Sequence, residues 1–141
     1  MFEGINWLHV LVAAAASMPV GFIWYNPKVF GSVWMREIKV TMEEAQARGG
    51  NMAVMLGMTY VFAVIAAVFM NAMVAHGREM AQFDSFKHGL YHGCEMAVFV
   101  VLPVVGMSAI YEGRGLKYVL IVTGFWAVIM GIMGGILNVW H

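Results

Sequence analysis

The segment HGLYHGCE, residues 88–95, places two histidines and a glutamate at helical spacing. At about 100° per residue, His88, His92 and Glu95 fall within about 60° of one another, so a helix carries all three on one stripe. An imidazole can donate through one ring nitrogen and accept through the other, while a carboxylate accepts. Such a stripe can hydrogen-bond along itself and move a proton. His88 and His92, at i and i+4, also match the spacing by which one helix offers two ligands to Zn²⁺ or Cu²⁺. The three residues together span about 10.5 Å of helix axis, too far for one ion to bind without distortion. A metal would therefore take the two histidines and recruit ligands from another segment. Cys94 is the only cysteine, which leaves neither an internal disulfide nor a C-x-x-C motif.

The elements that must position this stripe are apolar. Hydrophobic residues make up 62% of the 141 residues and charged residues 11%, and mean hydropathy is +0.77. These values lie outside the range of soluble globular domains. A helix of about 20 apolar residues crosses the hydrocarbon core, and four such blocks occur, at residues 5–25, 53–74, 89–111 and 117–139. Lipid offers the backbone no hydrogen-bond partners, so each block must be helical. The expected fold is all-α, an integral membrane four-helix bundle forming a single domain over residues 1–141. Small residues near Ala13–Ser17 resemble a cleavage site, yet Glu3 stands where a signal carries Lys or Arg, and the apolar run continues to Tyr25. The first block therefore reads as a retained span. With the third span centred on Val100, Glu95 lies about 7.5 Å from the midplane and His88 about 18 Å from it. An ionised carboxylate at the depth of Glu95 costs roughly 2.5–3.5 kcal/mol on insertion scales, so it needs a partner or a proton.

The loop over residues 26–52 is the longest connection. Val29, Phe30, Val33, Trp34 and Ile38 form one helical stripe with Lys28, Arg36 and Lys39 away from its centre, which predicts a short amphipathic helix in the membrane interface. Thr41 and Glu44 form a capping box for a second short helix, stopped by Gly49 and Gly50. Four Lys and Arg residues lie in this loop, two between spans two and three, and two between spans three and four. Summed by side this bias places the long loop and the EGRG turn in the cytoplasm and both termini outside.

Small residues mark the packing faces: Ala13, Ser17 and Gly21 in the first span, Gly89 and Gly93 in the third, Gly131 and Gly135 in the fourth. They predict close helix contacts within the chain. Pro19 and Pro103 predict kinks that free the carbonyls of Ala15 and Phe99. All five histidines (His9, His76, His88, His92 and His141) fall at one end of the four spans, with Asn6, Asn71 and Asn138 toward the same side. Met52, Met55 and Met58 have a spacing that Cu(I) would accept, but they sit at the opposite end and read as packing residues.

The segment GFIWYNPKVFGSVWM, residues 21–35, resembles the hallmark of a bacterial family of small membrane proteins, domain of unknown function 1761. Its pattern is met by Gly21, Trp24, Tyr25, Pro27, Phe30, Gly31, Trp34 and Met35. The resemblance implies a four-span fold and an inner-membrane location, and it implies no biochemical activity. Read physically, Pro27 stops the first helix at an aromatic belt, Gly31 permits a sharp re-entry, and Trp34 anchors the interfacial helix.

Three functions are compatible with the stripe. It belongs to a structural or binding module or an accessory subunit, whose polar pocket of Glu95, His92, His88, His9 and Asn6 pins the helices. Alternatively, Glu95 and His92 are the titrating pair of a small proton-coupled transporter, or His88 and His92 hold Zn, Cu or haem. The reading with no cofactor is the simplest. The expected partner is the lipid bilayer, with a homo-oligomer or a larger membrane complex left open. Zero net charge gives no basic surface for nucleic acid. No hydrolytic triad or phosphate-cradling loop is present in the sequence, so no enzymatic activity is expected.

Overall fold

The computed structural model describes residues 5–47, 52–78, 83 and 85–140. Every regular element among them is helical. Four helices are long and apolar enough to cross a membrane: Trp7–Trp24, Leu56–Ala75, Phe86–Tyr111 and Leu116–Val139.

Two of these are compound, and each loosens just before a proline. The first comprises α1 (Trp7–Ala15) and α2 (Ser17–Trp24), meeting at Ala16. Pro19 has no N–H for the carbonyl of Ala15. In the turn before it, the Ala16 N–H is shared between the carbonyls of Val12 and Ala13, and Ser17 Oγ donates to Ala14 O at 2.7 Å. The third comprises α6 (Phe86–Met96), a π-helical turn (Ala97–Val101) and α7 (Leu102–Tyr111). Here the Leu102 N–H reaches back five residues to Ala97 O, and Pro103 donates nothing. Val98 and Phe99 therefore both lose the N–H four residues ahead that an α-helix would give them. The kinks expected at the prolines take this form of a loosened turn upstream of each ring.

The second and fourth spans are continuous, α5 (Met52–Arg78) and α8 (Leu116–Val139). Helix α8 packs against the other three spans, and half of its membrane-length window is buried, against 17% for Phe86–Tyr111. One core joins α1, α5 and α8 through Val10, Ala13, Ala14, Ala67, Met70, Met133 and Leu137. A smaller one joins Ala97 to Ile129 and Met130. Between α6 and the antiparallel α8 the backbones nearly touch. A Cβ on Gly89 would collide with the carbonyl of Gly134, and one on Gly93 with the carbonyl of Met130. The glycines of both spans are packing residues within the chain, as their spacing predicts, but Gly134 rather than Gly131 or Gly135 faces Gly89.

The long connection is largely helical over its described residues 26–47. Asn26 is extended and its Oδ1 accepts from the Lys28 N–H at 2.9 Å. Pro27 then opens a π-helical turn, Pro27–Gly31, which runs into α3 (Ser32–Ile38). The chain reverses at Asn26, so Gly31 is not the site of a sharp re-entry. It is helical, with φ −60°, and it must be glycine because any Cβ there would meet the carbonyl of Tyr25. Lys39 takes a left-handed φ of 56° and ends α3. Helix α4 (Met42–Ala47) begins with the capping box: the Thr41 N–H donates to Glu44 Oε2 at 2.9 Å, and the Glu44 N–H donates to Thr41 Oγ1 at 3.1 Å. Its expected stop at Gly49 and Gly50 lies outside the described residues.

Candidate functional site

The start of α6 is fixed by a clamp from α8. Ser85 is extended and caps the helix, its Oγ accepting from the His88 N–H at 3.3 Å. Asn138, fully buried, donates through Nδ2 to Phe83 O at 2.8 Å and to Ser85 O at 2.7 Å. Phe83 in turn stacks on the His88 ring at 4.8 Å. Asn138 thus sets the depth and azimuth at which His88 begins the polar stripe.

Along that stripe the side chains form a continuous line. His88 Nε2 and His92 Nε2 lie 3.1 Å apart, and His92 Nδ1 lies 3.0 Å from Glu95 Oε2. Both nitrogens of one imidazole are therefore engaged. An ionised Glu95 can only accept, which puts a proton on His92 Nδ1. A neutral His92 then accepts at Nε2 from His88 Nε2–H. A proton arriving at His92 Nε2 reverses that second bond, and His92 becomes the donor to both neighbours. One proton crosses the line by these bond reversals without movement of the helix, and the His92 ring must turn over or exchange its proton before a second can follow.

The line does not face α8. Gly89, Gly93 and Ala97 fill that interface, and the polar residues occupy the adjoining flank, with the side chains of His92 and Glu95 32% and 41% exposed. Among the described residues both hydrogen bonds of the line are made within α6. On the opposite flank, Leu90, Cys94, Ala127, Val128, Gly131 and Ile132 line an apolar cleft of ≈ 240 Å³ between α6 and α8.

The other residues singled out in the sequence lie elsewhere. His9 is buried, stacked on Trp140 at 4.2 Å, with Nδ1 lacking a partner. Asn6 is exposed at the start of α1 and makes no side-chain capping bond. The five-residue pocket is thus a line of three plus a separate His9–Trp140 pair at the same end. The side chain of His76, and all of His141, lie outside the described residues, as do the side chains of Met52 and Met55; Met58 is exposed. His88 and His92 supply two nitrogens, and among the described residues no group of three or more His, Cys, Asp or Glu side chains is placed to hold a metal ion. The sequence pattern missed the parts played by Phe83 and Ser85, although Ser85, three residues before His88, carries the signature of a helix N-cap.

The aromatic hallmark is a clasp between the first span and α8. Trp24 Nε1 donates to Ile121 O at 3.1 Å and its ring packs on Phe30 at 4.5 Å. Tyr25 meets Phe125 at 5.1 Å and the edge of Trp34 at 5.2 Å. Gly21 also approaches Phe125, and the reversal at Asn26, with Gly31 tucked against the Tyr25 carbonyl, brings Phe30 and Trp34 back onto the end of α2.

These features define a helical protein with four helices long and apolar enough to cross a membrane, tied together by glycine contacts and an aromatic clasp. The chain matches the family described as "Protein of unknown function (DUF1761)" over residues 8–138 and belongs to it. No curated protein and no solved structure matches it.

Proposed function

We propose that this chain is a multi-pass protein of the bacterial inner membrane that binds protons at Glu95 and passes them through His92 and His88 toward one membrane face. The observation that carries this reading is the double engagement of His92, whose two nitrogens contact Glu95 and His88 at 3.0 and 3.1 Å. A residue set that only braced the helices would direct its bonds across to a neighbour. These bonds run along the helix axis instead, from the depth of Glu95 to the headgroup end. The chain acts as a carrier or proton-binding module rather than an enzyme, with the lipid bilayer as its surroundings and no nucleic-acid partner. The Lys and Arg bias puts the long loop in the cytoplasm, α3 in the interface, and both termini and His88 on the outer side.

Proton flux in proteoliposomes, read with a pH-sensitive dye under an imposed gradient, tests the proposal. Glu95→Gln removes the titrating group while keeping its shape and should lower flux to that of protein-free vesicles. Equal flux in parent and variant would remove the role assigned to Glu95.

A further inference from the structure

We infer that the end of the bundle that carries α3 binds the phosphate of an anionic phospholipid, held by Arg36 and Lys39 at the end of α3 and by Lys117 in the first turn of α8. The inference rests on the placement of α3 in the membrane interface, and not on proton passage.

Two contacts bring these side chains to one place. Trp34 of α3 meets Tyr25, which meets Phe125 of α8. Beyond them, Glu37 Oε2 lies against Gly115, 2.6 Å from where a Cβ would stand. Arg36 and Lys39 are one and two residues from Glu37, and Lys117 is two residues from Gly115, so the three cations flank a single contact between α3 and the start of α8.

The acids at this end are mostly engaged within the chain, whereas these cations are not. Glu112 pairs with Arg114, Glu44 closes the capping box with Thr41, and Glu37 turns to Gly115; Glu43 stands exposed in α4. Arg36, Lys39 and Lys117 are exposed, and among the described residues none of them forms an ion pair. Lys28, before α3, is exposed and unpaired in the same way. Three cations around the single carboxylate of Glu37 keep the patch positive, and the phosphates of an anionic leaflet supply the counter-charge that the fold withholds.

The surface beside the patch selects a lipid over a free anion. Leu116 and Leu120 are 71% and 58% exposed, and at i and i+4 they share one face of α8 next to Lys117. They give an acyl chain an apolar track that leads from the cations into the hydrocarbon, which inorganic phosphate does not use. The headgroup must carry net negative charge, because a zwitterionic one brings its own cation and cancels the attraction.

Native mass spectrometry of the full chain in detergent, offered equal amounts of dioleoylphosphatidylglycerol and dioleoylphosphatidylcholine, tests this. The parent should retain the anionic lipid over the zwitterionic one by about tenfold or more. Arg36→Gln, Lys39→Gln and Lys117→Gln together should bring that ratio near unity, whereas Arg36→Lys, Lys39→Arg and Lys117→Arg together keep the charge and should preserve it. Lys87→Gln, exposed at the opposite end of the spans, should leave it unchanged. Equal retention of the two lipids by the parent, a ratio untouched by the three Gln substitutions, or an equal loss with Lys87→Gln would each overturn the inference. Displacement of the bound lipid by inorganic phosphate at the same concentration would overturn the lipid as occupant. Release of the chain from membranes by alkaline carbonate would overturn the membrane reading and the lipid site together, whereas a retained chain with no lipid preference would overturn the site alone.

Discussion

His88 and His92 approach each other through their Nε2 atoms at 3.1 Å, so one ring must donate while the other accepts, and Glu95 at the far nitrogen of His92 decides which. This coupling predicts an observable tautomer. In lipid, ¹⁵N solid-state NMR should find neutral His92 protonated at Nδ1 when Glu95 is ionised. Glu95→Leu removes the acceptor and should move the proton to Nε2, the nitrogen that faces His88. An unchanged tautomer would show that Glu95 does not set the polarity of the line.

The contact between α6 and α8 gives a sharper mechanical test. Gly89→Ala and Gly134→Ala each drive a methyl group into the opposing backbone and should destabilise the fold by about 1–3 kcal/mol in mixed-micelle unfolding. Gly106 has nothing within 4 Å of a Cβ, so Gly106→Ala should be neutral or gain up to about 1 kcal/mol from helix propensity. Equal effects at the three positions would contradict the close approach.

Removing Asn138 should loosen the site from a distance. Asn138→Ala leaves the carbonyls of Phe83 and Ser85 without their donor, at a cost of about 1–3 kcal/mol. It should also speed amide exchange at His88, whose N–H bonds Ser85. A loss of stability with no change in exchange at His88 would separate Asn138 from the positioning of the line.

Pro103 makes a testable claim on the π-helical turn. Pro103→Ala restores an N–H four residues after Phe99, so an α-helical turn should replace Ala97–Val101 and the new amide should exchange slowly. Stability should rise by on the order of 1 kcal/mol or more. A fast-exchanging amide at 103 would mean that packing against Ile129 and Met130, rather than the missing donor, holds the turn open.

Features fixed by local chemistry were legible in the sequence. The four spans follow from hydropathy, the Thr41–Glu44 box from the reach of two side chains, and the His88–His92–Glu95 stripe from the helical repeat. Relations between segments were not. Periodicity says that Gly89 and Gly93 share a face, but the register that sets Gly134 opposite Gly89 depends on the packing of two whole helices. The same limit applied to His9. Its end of the chain was evident from counting spans, whereas its pairing with Trp140 rather than His88 depends on how α1 and α8 are rotated. Gly31 reads in the sequence as the site of a sharp re-entry, whereas the structure requires glycine there because the Tyr25 carbonyl passes over it.

The central place of α8 has a consequence for how the protein is made. A ribosome delivers the chain from its amino end, and α8 emerges only after the other three spans. Until it does, the glycine face of α6 has nothing to close on, and the contact between α1 and α5 through Val10, Ala14, Ala67 and Met70 is open on the side that α8 will fill. The first two spans can pair in the bilayer, but the third waits for its main partner, and the core is completed in one late step when α8 slots between them. A nascent chain arrested before Leu116 would present the insertion machinery and its proteases with a helix pair and a third span lacking its main partner.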